Sequence, residues 1–206
     1  KLRLAVDISD GMVYLHDKKP AIIHRDLKSH NIFVHEVGGL MQVKIGDWGS
    51  ARAALAGNRT MTHGVGTACW LAPEVIKDAR ASKASDSYGF AIVLWEIETR
   101  EEVYKGLTTM QIISRVANEN LRPAIPPGCR WAHVMEACWH ESPARRWLFD
   151  RILEELQGLL DEVESEEGEG EDEPFLIQQA SPSRARGIEA GIKGSKDGRL
   201  RRTVDK

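Results

Sequence analysis

The segment formed by residues 22–34, IIHRDLKSHNIFV, places charged and amide side chains between two apolar flanks. Within it Asp26 follows a His-Arg pair, Lys28 stands two positions later, and Asn31 closes the polar part. A carboxylate can accept a proton from an attacking hydroxyl, an amide oxygen can ligate magnesium, and a lysine can neutralise a phosphate oxygen. The pattern favours a loop that performs chemistry, although Asp and Asn also commonly stabilise simple turns.

A metal site in this loop would need a second carboxylate from another part of the chain. Asp47 is the candidate, because it follows the strand-like residues 43–45 and precedes Trp48 and Gly49. A glycine at that point lets the backbone turn sharply. We therefore expect Asp47 and Asn31 to share a metal ion.

The composition predicts one globular domain with a tail. The chain has 206 residues, of which 42% are hydrophobic, and its net charge of -3 does not favour a nucleic-acid partner. Its longest apolar run, residues 90–95, is too short to cross a bilayer, so we expect no membrane segment. The three cysteines are widely separated, which predicts a reducing, cytoplasmic location. Because the first residue is Lys1 rather than Met, we expect the chain to begin within a longer protein.

The first half of the chain reads as a helix, a hairpin and a long loop. Apolar residues recur at helical spacing up to Leu15, and Pro20 is expected to end that helix. Residues 32–34 and 42–45 read as strands joined by a turn at Gly38 and Gly39. Residues 47–74 show little periodicity and predict a long loop.

The second half predicts helices followed by a charged tail. Helical patterns cover residues 86–98, 108–116 with a Thr108 cap, 133–139 and 149–160. Nine acids then crowd residues 161–173, and residues 181–206 are basic. Such blocks cannot bury enough apolar surface to fold alone, so residues 161–206 are predicted to form a disordered tail. A docking role for the tail is an alternative, indicated only by the apolar residues 174–177.

The segment 22–34 matches the catalytic loop of eukaryotic protein kinases at every defined position. From Leu2 to about Leu160 the chain resembles the C-terminal lobe of a protein kinase. It is most similar to the tyrosine-kinase-like serine/threonine branch, near the Raf-like and mixed-lineage kinases. The resemblance implies a mainly α fold for residues 1–160, a helical bundle with a short β-hairpin that carries the catalytic and metal-binding loops.

The resemblance also implies the roles of the loop residues. Asp26 matches the catalytic base, and Lys28 matches the lysine that contacts the transferring phosphate. Asn31 and Asp47 match the two ligands of Mg²⁺, so ATP and Mg²⁺ are the implied cofactors. Arg25 matches an arginine that binds a phosphate on the activation loop.

Three threonines fall in the segment that resembles an activation loop. Thr60 and Thr62 are candidate phosphate acceptors, although both are equally compatible with solvated loop positions. Thr67 matches the residue that hydrogen-bonds the catalytic Asp26 and Lys28.

Other matches imply structural roles. Glu74 is expected to pair with Arg146, and Asp86 is expected to bind backbone N–H groups of the His24-Arg25 turn. His24 and Trp48 match the lower members of the regulatory spine. Two departures stand out, since Trp48 replaces the usual Phe and Trp147 follows Arg146 where the family has Pro.

The resemblance implies a protein substrate with serine or threonine acceptors. Lys28 and Thr67 are typical of serine/threonine kinases, whereas LRPAIPPGC and ACWHESP resemble tyrosine kinases. The Gly-rich loop, strand lysine and helix glutamate of the N-terminal lobe are missing from the chain, so we expect it to be inactive alone. The alternative is a pseudokinase or scaffold that binds partners without catalysis, for which Trp48 and Trp147 are the support.

Overall fold

A computed structural model describes residues 1–47, 52–53 and 67–168 of the chain. Within these residues the fold is mainly helical, with two small antiparallel sheets. The helices are α1 (Leu2–His16), α2 (Pro73–Asp78), α3 (Lys83–Thr99), α4 (Thr109–Asn118), α5 (Ala132–Cys138) and α6 (Phe149–Gly168). The strands are β1 (Ile22–Ile23), β2 (Ile32–Val37), β3 (Leu40–Ile45) and β4 (Arg52–Ala53). The mainly α class with a β-hairpin is therefore as predicted.

Helix α3 lies at the centre of the core. Every residue from Ala84 to Trp95 is buried, because the helix is apolar on all sides and is surrounded by other elements. It begins three residues before the predicted start, since the Ser82 side chain accepts from the Ser85 backbone in a reciprocal capping box. Helix α5 packs on it, while α1 packs on α6 and on β3.

The hairpin forms where its turn residues predict it. Strands β2 and β3 pair in register from Ile32 opposite Ile45 to Val37 opposite Leu40. Gly38 and Gly39 form the two-residue turn with φ of 61° and 82°. Two successive positive φ values suit the right-handed twist of a hairpin and are easiest for glycine. The strands are longer than predicted, because the pairing continues up to the turn.

Three further differences from the prediction concern the end of the first helix and the segment 47–74. Helix α1 ends at His16, before Pro20 is reached. Helix α2 begins at Pro73, inside the segment predicted to be loop, because a proline at the first helical position costs no hydrogen bond. The segment predicted to be loop also contains strand β4, which pairs with β1.

Helix α6 continues to Gly168, eight residues beyond the predicted end at Leu160. Its extension is rich in glutamate, a good helix former, and prolongs a helix that is already nucleated. The rest of the predicted tail lies outside the described residues, as do Trp48, Thr60 and Thr62. Among the described residues, no helix combines the length and apolar character needed to cross a membrane.

The predicted ion pair of Glu74 and Arg146 is present, with Arg146 fully buried and Glu74 partly buried. The Arg146 guanidinium donates to both carboxylate oxygens of Glu74 at 2.7 and 2.8 Å. It also donates to the backbone carbonyls of Ala84, His140 and Glu141. A side chain that is 0% exposed thus ties α2 to the start of α3 and to the segment before α6.

Replacing Glu74 with Gln is expected to destabilise the fold strongly. The change leaves the Arg146 charge buried beside a neutral partner, which typically costs about 3–5 kcal/mol. Denaturant unfolding measures the loss. Glu119→Gln is the matched control, because Glu119 pairs with Arg115 on the surface and such pairs contribute about 0–1 kcal/mol. Equal effects of the two changes would contradict the structural role of the buried pair.

Replacing Gly89 with Ala is expected to destabilise the chain, although alanine is the better helix former. A Cβ at this position in α3 would lie 2.7 Å from the carbonyl oxygen of Leu27 and 3.4 Å from that of Trp70. Both atoms are backbone, so the strain should cost about 1–3 kcal/mol in unfolding free energy.

The control for this change is Gly158→Ala in α6. A Cβ at Gly158 meets nothing within 4 Å. That change should stabilise the chain by about 0.5–1 kcal/mol, because alanine loses less backbone entropy in a helix. The same sign for both changes would show that α3 and the loop of Leu27 are not in close contact.

Candidate active site

Asp86, in the first turn of α3, holds the turn that precedes the candidate catalytic residue. Its Oδ2 accepts from the backbone N–H of His24 at 2.8 Å, and its Oδ1 accepts from that of Arg25 at 2.9 Å. Nε2 of His16 lies 2.9 Å from the same Oδ2. The carboxylate is buried, and these contacts satisfy both of its oxygens. Its position in the first turn of a helix also favours negative charge.

The turn that Asp86 holds is strained. Arg25 has φ of 70°, a left-handed conformation that is uncommon for a residue with a side chain. Such a conformation costs about 1–3 kcal/mol and persists only where the surroundings fix it. The hydrogen bonds from His24 and Arg25 to Asp86 do so, and they set the direction in which Asp26 leaves the turn.

The loop residues predicted to act together lie within hydrogen-bonding distance of one another. Oδ2 of Asp26 is 2.7 Å from Nζ of Lys28 and accepts from Nδ2 of Asn31 at 3.2 Å. The same Nδ2 donates to the backbone carbonyl of Asp26 at 2.8 Å. Oδ1 of Asp26 is buried and has no hydrogen-bond partner among the described residues. The site therefore leaves one carboxylate oxygen as an unused acceptor.

Lys28 connects this loop to the segment before α2. Its Nζ donates to Oγ1 of Thr67 at 3.0 Å, as expected from the sequence. The expected bond from Thr67 to Asp26 is not formed among the described residues, because Lys28 stands between them. Because Lys28 contacts both Asp26 and Thr67, its otherwise flexible side chain holds the ammonium charge in one position.

Backbone pairing brings Asp47 beside Asn31. The N–H of Gly46 donates to the carbonyl of Asn31 at 2.8 Å, and Nε2 of His24 lies 3.0 Å from the carbonyl of Gly46. Asp47 follows directly, exposed and with φ of 60°. These contacts place the backbone of Asp47, whose side chain is exposed, next to the loop that carries Asn31.

The donor set fits a magnesium ion better than a transition metal. Both side-chain hydrogen bonds of Asn31 use its amide nitrogen, which leaves its Oδ1 as an oxygen ligand. Mg²⁺ is usually held by one or two carboxylates together with phosphates and water. The described residues contain no group of three or more His, Cys, Asp or Glu that could hold a metal by itself. Asn31 and Asp47 thus suit a metal that arrives with phosphate ligands.

Two contacts of the site were not anticipated from the sequence. His16 is 4% exposed and contacts Asp86, a role that the spacing of the histidines in the sequence does not indicate. Its position one helical turn after the buried Met12 is a signal that could have placed it in the core. Glu96 accepts from Oγ of Ser29 and from Nε1 of Trp70, at separations along the chain that no local pattern reveals.

Comparison with known proteins agrees with this geometry. Residues 1–156 match the family of protein tyrosine and serine/threonine kinases. The chain is 42% identical over 161 residues to the probable serine/threonine-protein kinase drkC of Dictyostelium discoideum. It is 40% identical over 158 residues to the serine/threonine/tyrosine-protein kinase HT1 of Arabidopsis thaliana. It is 38% identical over 163 residues to a mitogen-activated protein kinase kinase kinase of Drosophila melanogaster.

The matches cover most of this chain and a smaller part of each relative. The aligned region is 76% of this chain and 21% of drkC, and 76% of this chain and 39% of HT1. For the Drosophila kinase the shares are 75% and 14%. The family match extends over the catalytic loop, the central helix and the buried ion pair. The chain therefore belongs to the protein tyrosine and serine/threonine kinase family.

Proposed function

We propose that this chain provides the phosphoryl-transfer half of a serine/threonine protein kinase, with Asp26 as the catalytic base. The observation that carries the proposal is the buried Oδ1 of Asp26, which has no hydrogen-bond partner in the described part of the chain, beside an Oδ2 that contacts Lys28 and Asn31. A buried acceptor without a partner is unfavourable unless a ligand satisfies it. The hydroxyl of a protein substrate supplies such a donor, and the carboxylate takes up its proton as the oxygen attacks.

Lys28 is proposed to neutralise charge on the transferring phosphate. An ammonium group has three N–H donors. Asp26 and Thr67 engage two of them, which leaves the third for a phosphate oxygen. Because the lysine is already fixed, little side-chain freedom is lost when the phosphate binds.

ATP with Mg²⁺ is the proposed cosubstrate, held on this chain by Asn31 and Asp47. Mg²⁺ supplies charge neutralisation between the phosphates. The chain's own part is to present Oδ1 of Asn31, with its amide nitrogen tied back to Asp26, and the exposed carboxylate of Asp47. Groups that cover the other side of the nucleotide would come from an N-terminal lobe, which is the proposed intramolecular partner of this chain.

Serine/threonine specificity and a cytoplasmic location are further parts of the proposal. The contact between Lys28 and Thr67 is of the type expected for a serine/threonine kinase. Among the relatives, drkC is named a probable serine/threonine-protein kinase, whereas the name of HT1 includes tyrosine as well. Cys69, Cys129 and Cys138 are all free thiols, which supports a reducing compartment.

The scaffold alternative stays a second proposal, for which Trp48 and Trp147 are the support. Helix α6 begins at Phe149, the residue predicted from the sequence, so Trp147 does not displace the start of that helix. Trp147 itself packs under Arg151, whose guanidinium lies 3.8 Å from the ring centroid. The other residue, Trp48, lies outside the described residues.

Asp26→Asn is expected to abolish most phosphoryl transfer without weakening nucleotide binding. Loss of a general base typically lowers kcat by about 10²–10⁴-fold, whereas KM for ATP should stay near its original value. Steady-state kinetics on the full-length protein that contains this chain measure both quantities. Asp10→Asn, on the exposed side of α1, is the control and should leave kcat unchanged. An Asp26→Asn variant with normal kcat would refute the proposed base.

The 206-residue chain alone is expected to show no ATP-dependent phosphorylation and to bind ATP weakly. The residues described supply one side of the phosphate and metal site, and the proposed N-terminal lobe supplies the other. Incubation with radiolabelled ATP and Mg²⁺ tests this expectation. Strong autophosphorylation by the isolated chain, lost in Asp47→Ala, would show that it is self-sufficient.

A further inference from the structure

The carboxylate of Glu96 joins two loops that are distant along the chain. Oγ of Ser29 donates to its Oε1 at 3.0 Å, and Nε1 of Trp70 donates to its Oε2 at 2.9 Å. Ser29 follows Lys28 in the catalytic loop, and Trp70 belongs to the short 3₁₀ turn Ala68–Trp70 that follows Thr67. Each carboxylate oxygen therefore holds a different loop against α3.

The two hydrogen bonds of Glu96 lie in a partly buried environment. Trp70 is only 9% exposed, and burial raises the pKa of the Glu96 carboxyl, while the bonds from Trp70 and Ser29 lower it. His30, an exposed residue of the loop, packs edge-on against Trp70 with ring centroids 5.6 Å apart. Both oxygens of this half-buried carboxylate therefore have a donor, as is usual for polar groups in such surroundings.

The same two loops are joined a second time at the reacting groups. Nζ of Lys28 donates to Oγ1 of Thr67 at 3.0 Å. Lys28 is adjacent to Ser29, and Thr67 is three residues before Trp70. The Glu96 contacts and the Lys28–Thr67 contact thus set the separation of the same pair of segments from two sides.

We infer that Glu96 is a positioning residue for phosphoryl transfer, which fixes the catalytic loop relative to the segment of Thr67 through Ser29 and Trp70. It does not touch the reacting atoms, so its effect passes through Lys28 and Asp26. The inference rests on the proposed kinase function of those two residues. Loss of the two bonds lets the loops separate and moves Lys28 relative to the carboxylate that it contacts.

A set of variants of Glu96 tests the inference in the full-length protein. Glu96→Leu removes both acceptors and should lower kcat by about 10–100-fold, because a displacement of roughly 1 Å can cost about 100-fold. KM for ATP should not change, since Glu96 does not contact the nucleotide ligands. Glu96→Gln should retain most activity, because its oxygen can accept from Trp70 while its amide donates to the Ser29 hydroxyl.

Glu98→Leu is the matched control, the same substitution two residues later on α3. Glu98 pairs with Lys1, 3.3 Å away, and two residues along a helix place it on a different side of α3 from Glu96. It should leave kcat unchanged. Normal kcat in Glu96→Leu, or an equal loss in Glu96→Gln and Glu96→Leu, would overturn the inference.

A second measurement is independent of catalysis and uses the 206-residue chain. The indole N–H signal of Trp70, assigned through Trp70→Phe, reports its bond to Glu96 in a ¹H–¹⁵N spectrum. Ser29→Ala should shift this signal in the wild-type background and leave it unchanged in the Glu96→Leu background. An unshifted Trp70 signal in Ser29→Ala would refute the coupling through Glu96. If the full-length protein transfers no phosphate, the proposed function fails, and this spectrum still decides whether Glu96 couples the loops.

Discussion

The hydrogen bonds that the Asp86 carboxylate accepts are the constraint on which the rest of the site depends. They fix the backbone of His24 and Arg25 to the first turn of α3 and so determine the position of Asp26, the next residue. A buried carboxylate is costly unless donors satisfy it, and here the donors are backbone N–H groups and the ring of His16. The same hydrogen bonds therefore stabilise the buried charge of Asp86 and fix the geometry of the catalytic loop.

The catalytic loop follows one face of α3 away from Asp86. Leu27 packs where Gly89 leaves no side chain, and Ser29 is held by Glu96 further along. Residues three, seven and ten positions after Asp86 lie on the same side of a helix as Asp86 does. At a rise of about 1.5 Å per residue, Asp86 and Glu96 are roughly 15 Å apart along the axis. One rigid helix thus sets the spacing between the contacts of the loop.

Features set by neighbours in the sequence could be predicted from the residues alone, whereas contacts between distant residues, such as Glu74 with Arg146, could be predicted only where the family resemblance implied them. The hairpin followed from Gly38 and Gly39, and the cap of α4 followed from Thr108, because each is decided within a few residues. The cluster of Asp26, Lys28 and Asn31 was visible for the same reason. In contrast, His16 lies 70 residues from Asp86, and Ser29 lies 67 residues from Glu96. Such pairs have no periodicity, so only the packing of α3 against the loops reveals them.

Two residues with strained backbone conformations, both next to one contact, orient the acidic groups of the site. Arg25 and Asp47 both have positive φ, at 70° and 60°, and neither is glycine. Each directly follows one partner of the contact between Nε2 of His24 and the carbonyl of Gly46. Asp26 directly follows the strained Arg25, and Asp47 is itself the second strained residue. The backbone directions at Asp26 and Asp47 are therefore both set relative to the contact between His24 and Gly46. Each positive-φ conformation costs about 1–3 kcal/mol, so both persist only while that contact and the hydrogen bonds to Asp86 are formed. The strain and its compensation together hold the proposed base and the proposed metal ligand in place before any substrate binds, and such positioning is the main requirement of phosphoryl transfer.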